Sequence, residues 1–111
     1  MRRVTCDHWE FDPPESEQAL ELAIAATSRR WPDLATLLAS CGASASDGKP
    51  ATTGWVRWAE VAAHLERFGG VALPHPTQLR AAVLLCDDWN DVELGVEFGS
   101  TLLWYHWSTS A

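Results

Sequence analysis

Val92, Leu94, Val96 and Phe98 alternate with Glu93, Gly95 and Glu97, and Gly99-Ser100 divides this run from Thr101-Leu-Leu-Trp-Tyr-His-Trp107. Apolar residues at every second position mark a half-buried strand, and a two-residue turn containing Gly closes a hairpin. In that register Phe98 faces Thr101, Val96 faces Leu103, Leu94 faces Tyr105 and Val92 faces Trp107, which makes one face apolar along its length. The other face pairs Glu97 with Leu102, Gly95 with Trp104 and Glu93 with His106. Upstream, Leu79 to Cys86 is a short apolar run that ends in the turn cluster Asp87-Asp88-Trp89-Asn90-Asp91, and it reads as a third strand of an antiparallel meander.

Earlier in the chain the spacing changes. Leu20, Ala23, Ile24, Thr27 and Trp31 recur at helical intervals behind Asp12-Pro13-Pro14-Glu15, where Asp12 suits an N-cap and Pro13 the first helical position. Pro32 breaks that helix. A second, short one carries Leu34, Leu37, Leu38 and Cys41 and stops at Gly42. A third places Trp58, Val61, Ala62, Leu65 and Phe68 on one stripe and ends at Gly69-Gly70. His64 falls outside that stripe and reads as a solvated helix residue. Residues 42–54 are small and turn-forming without apolar periodicity, and read as a flexible loop whose loss the domain tolerates. Arg3 to Phe11 is a candidate strand. The fold class expected is α+β, a single domain over residues 1–111. Three helices pack on one face of an antiparallel three-stranded β-meander, with the N-terminal strand added at an edge.

Composition adds acidity and tryptophan. The net charge is −7 over 111 residues, and residues 81–111 hold five carboxylates and no Lys or Arg. Such a field repels phosphate backbones, which argues against nucleic acid and for a basic protein partner. A winged-helix arrangement has the right order of elements and the wrong charge. No apolar run is long enough for a membrane span, and Arg2 and Arg3 are not followed by the apolar segment of a signal peptide. Cys6, Cys41 and Cys86 lack the paired spacing of a zinc site or disulfide framework, so the thiols read as reduced and the compartment as cytoplasmic.

The candidate chemistry lies at the C-terminal end. Asp87, Asp88, Asp91 and Asn90 offer oxygens, yet the spacing fits no calcium loop; a hairpin turn is expected, with no metal and no cofactor. Trp89, Trp104, His106, Asp87, Asp88, Asp91 and Glu93 form the expected partner-binding set. In it a rigid Trp104 lies over the bare backbone of Gly95, ringed by acids. An exposed sheet face would also admit a homodimer. The alternative is a small enzyme or small-molecule binder in which Glu93 orients His106 beside Trp104 and Cys86 joins the pair. Asp7, His8, Trp9 and Glu10 form a second acidic-aromatic cluster. In general type, a small acidic domain without a catalytic signature is similar to bacterial immunity or antitoxin proteins. That resemblance implies an inhibitor that blocks a basic toxin with acidic and aromatic side chains.

Overall fold

The computed structural model describes residues 1–7, 10–11 and 17–109. In them a six-stranded antiparallel sheet lies between two short helices, in place of the expected three helices on a three-stranded meander. The strands are β1 (Arg2–Cys6), β2 (Gln18–Ala26), β3 (Lys49–Pro50), β4 (Ala81–Asp88), β5 (Asp91–Phe98) and β6 (Thr101–Thr109), and their order in the sheet is β1-β2-β6-β5-β4-β3. The helices are α1 (Leu34–Ser40) and α2 (Trp58–His64).

The β5–β6 register is the one that the alternation predicts, from Val92 opposite Trp107 to Phe98 opposite Thr101. Gly99 supplies the positive φ of that turn, at 55°. β4 joins β5 with a bulge between Leu84 and Cys86. The major correction is at β2, where the helical spacing of Leu20, Ala23 and Ile24 turns out to belong to a strand. β2 is buried on both faces. Leu20 and Leu22 point to one layer while Ala23 and Ala25 point to the other, so apolar residues on both sides erase the period-two signal. The cap expected at Asp12 to Glu15 lies outside the described residues. β1 pairs with β2, not with the meander, and β6 pairs with β2 over its full length.

The helices lie on opposite faces, not on one. Leu84, Leu94, Tyr105, Leu22 and Val4 follow one another across the sheet, and Trp58 and Val61 of α2 cover this row together with Leu65 just after it. Behind α2 the chain widens into a π-turn, Leu65–Gly69, stopped by Gly70 at φ 63°. On the second face α1 packs Leu34, Leu37 and Leu38 over Ala23, Ala25, Leu102 and Trp104. Asp33 starts α1: its Oδ1 accepts from the Thr36 amide at 2.8 Å and the Thr36 hydroxyl at 2.7 Å, which holds the carboxyl below its usual range. Gly95 is required here, because a Cβ on it would stand 2.8 Å from Leu38 Cδ2. The space above Gly95 thus belongs to Leu38 and not to an exposed indole.

Residues 42–54 include short regular elements. They contain a 3-10 turn (Ala45–Asp47) and β3, which pairs Lys49 with Leu84 and Pro50 with Val83, and Thr52 O accepts from Trp58 Nε1 at 2.8 Å. A two-residue strand carries no readable period. His64 is likewise not a solvated residue: it is half-buried, its Nδ1 is 2.7 Å from the buried Tyr105 hydroxyl, and its ring stacks on Tyr105 and meets Phe11 edge-on. Burial holds the imidazole pKa below its ordinary 6.5 and pushes the Tyr105 phenol up. On acidification the unfolded chain therefore binds the proton first. The stability that neutral His64 contributes is intact above 6.5 and is lost as pH falls from there through the lower folded-state pKa. Urea unfolding at about pH 7.5 and about pH 5.5 should show a larger loss for the wild type than for His64→Gln.

Candidate interaction surface

α1 covers only part of the second face. Beyond it, Cys86, Glu93, His106, Glu21 and Thr5 form one row across five strands, and Asp88, Asp91, Ser108 and Ala19 form the next. Four carboxylates thus share an open stretch of sheet with one imidazole. Glu93 and His106 are direct cross-strand neighbours, as expected, yet they do not bond to each other. Glu93 Oε2 accepts from Trp104 Nε1 at 2.8 Å, and Asp91 Oδ1 lies 2.8 Å from His106 Nε2. Each carboxylate reaches one diagonal step along β6, a contact that long side chains make across a twisted sheet. The sequence-predicted Glu93–His106 pair is therefore replaced by Asp91–His106.

Trp104 is 3% exposed, closed over by α1 and by the Arg3 guanidinium 5.5 Å from its ring centroid. Its expected role as a displayed anchor is corrected: it is the floor beneath the acidic face. Among the described residues the exposed indole is Trp89. It sits in the two-residue turn between β4 and β5 and is 68% exposed, while Val56, just ahead of α2, is 90% exposed. That turn is clamped from several sides. Arg57 Nη2 donates to Trp89 O at 3.2 Å, Trp55 Nε1 donates to Asp87 Oδ2 at 3.1 Å, and the Thr109 amide donates to Asn90 O at 2.9 Å. Trp55 is itself braced edge-on against Trp58 with centroids 5.1 Å apart, and Arg57 lies over Trp107. The residues missed from the sequence are therefore Trp55, Val56 and Arg57. Their only signal was two aromatics and a cation crowded behind the Gly54 turn.

Cys86 is not poised as a nucleophile. Its thiol lies 3.5 Å from Asp88 Oδ2 and 3.4 Å from Asp91 O, and burial, followed by the charge of Asp91 and contact with Asp88, pushes its pKa up. No group of three or more His, Cys, Asp or Glu among the described residues is arranged to hold a metal ion. A groove of about 330 Å³ runs beside Asp47, Lys49, Cys86, Asp87 and Asp88, and one of about 460 Å³ lies along β3 and the start of β4; neither is lined by His106 or Glu93. Asp7 and Glu10 of the second cluster are exposed, whereas His8 and Trp9 lie outside the described residues.

No family model matches this chain, nor does any curated protein or solved structure. The likeness to bacterial immunity proteins gains no support from relatives. Among the described residues no helix is long and apolar enough to cross a membrane.

Proposed function

We propose that this chain is a protein-binding module whose partner presents a basic surface. The observation that carries the reading is the clamped turn at Trp89: a large, exposed indole on rigid backbone, flanked by Asp87 and Asp88 and adjoining the face of Asp91, Glu93 and Glu21. Trp is the residue most enriched at binding hot spots, and holding it rigid lowers the entropy cost of docking. The carboxylates steer an Arg- or Lys-bearing surface and disfavour a second copy on the same face. Three free thiols fit a reducing compartment, and we place the protein in the cytoplasm on that ground.

The enzyme alternative rests on the Asp91–His106 pair, with Asp91 taking the orienting place first given to Glu93. A protonated Cys86 thiol and an open sheet around His106 weigh against it.

The test is retention of the native partner on immobilised protein. The wild type should retain a basic protein at low ionic strength and release it as salt rises. Trp89→Ala should fold normally and weaken binding by about 2 kcal/mol or more, with His106→Ala costing less. Equal retention by wild type and Trp89→Ala rejects the reading, as does a retained partner that is acidic. Turnover abolished by His106→Ala would favour the enzyme.

A further inference from the structure

The larger groove differs in charge from everything around the acidic face. It runs under the edge of the sheet, between β3 and the segment Pro76 to Arg80, and its volume of about 460 Å³ is in the size range of small-molecule sites. Small side chains create it. Ala45, Ala51, Ala81 and Ala82 leave room along the β3–β4 edge, and Pro50, Pro76 and Leu79 supply rigid apolar walls. Its only charged lining residues are Lys49 and Arg80. The Arg80 amide donates to Glu97 O at 2.8 Å, which anchors that residue at the mouth of the groove.

What sets Lys49 and Arg80 apart is that both line the groove with their charges free to meet a ligand. Arg2 donates to Gly69 O, Arg3 pairs with Glu21, Arg57 donates to Trp89 O and Arg67 to Glu10 O, whereas Arg30 only lies over the Trp31 ring and Arg29 makes no such contact among the described residues. Among the described residues the side chains of Lys49 and Arg80 make no hydrogen bond or ion pair, in a chain of net charge −7 with carboxylates to spare. Lys49 stands on the ridge between this groove and the acidic one at Asp47, Asp87 and Asp88, so Arg80 is the better placed of the two to meet a ligand. A planar guanidinium at the rim of an apolar trough suits a ligand with an apolar body and one planar anionic head.

We propose that this groove binds a small amphipathic organic anion, a carboxylate or sulfonate on an aromatic ring or short hydrocarbon body. The apolar part lies against Pro50, Leu79 and Ala82, and the head meets Arg80, with Lys49 adding charge. The site is separate from the Trp89 surface and does not depend on it.

The test uses an anilinonaphthalenesulfonate, whose fluorescence rises in apolar surroundings, with calorimetry for stoichiometry and amide chemical shifts for location. One equivalent should bind with the largest shifts at residues 49–51 and 79–83. Octanoate should displace it and octylamine should not. Arg80→Ala should weaken binding by about tenfold, and Lys49→Ala with Arg80→Ala by more, as loss of a charge-assisted contact at a partly apolar site implies. Both side chains are exposed and unpaired, so circular dichroism of these variants should match the wild type. Unchanged affinity in the double variant, equal displacement by octylamine, or shifts centred on Val56 and Trp89 would each overturn the proposal.

Discussion

Leu94→Ala should lower the free energy of unfolding by about 2–5 kcal/mol, the range for removing a large aliphatic side chain from a core that cannot collapse around the gap. Leu94 is fully buried at the centre of the sheet, between Leu84 on β4 and Tyr105 on β6, within the cluster closed by Val61 of α2 and by Leu65 just after it. The paired strands β4 and β6 on either side limit local relaxation. Glu97→Ala, on the same strand with its side chain on the other face, should stay within about 0.5 kcal/mol. Urea unfolding of the two variants beside the wild type settles the comparison, and effects of similar size would mean that the alternation along β5 does not separate core from open face.

Gly95→Val should destabilise by about 1–3 kcal/mol, through a different mechanism. The first added carbon would stand 2.8 Å and 3.2 Å from the two Leu38 methyls and 3.3 Å from Leu34 Cδ1, so these side chains must repack or α1 must shift away from the sheet. The better strand propensity of valine offsets only part of that cost. Because the clash is with one helix, it can be relieved there. In a double-mutant cycle Leu38→Ala combined with Gly95→Val should be more stable than the sum of the single changes implies. Displacing α1 also uncovers Trp104, so Gly95→Val should shift the tryptophan emission of the folded protein to the red. A strictly additive cycle would show that Gly95 is not what lets α1 approach.

These two neighbours on one strand illustrate what a sequence can disclose. β5 and β6 were legible because one of their faces is uniformly apolar and period two survives. β2 was not, since Ala23 and Ala25 fit under α1 and fill the polar half of the pattern with small apolar residues that also favour helices. The stripe of α1 was visible in Leu34, Leu37 and Leu38, but no local signal says on which side of the sheet a connecting helix will cross. That unreadable choice buries Trp104 and leaves display to Trp89. Similarly, direct opposition of Glu93 and His106 follows from register, while the diagonal reach that gives His106 to Asp91 follows from side-chain direction on a twisted sheet. The acidity of this surface was legible in composition, whereas which of the two indoles is exposed was decided by topology.

The position of β6 bears on how the molecule assembles in time. The middle of the sheet is its last strand, flanked by β2 on one side and β5 on the other, and the indole of Trp107 bonds to the Gln18 side chain across 89 residues of chain. Until β6 arrives from far along the sequence, the β1–β2 pair leaves one edge of β2 unpaired. Contacts of such separation make folding slow, on the millisecond-to-second scale of sheet proteins, and leave a sticky strand exposed in the interval. The aggregation-prone species is therefore one in which β2 has paired with β1 but the centre of the sheet is still missing.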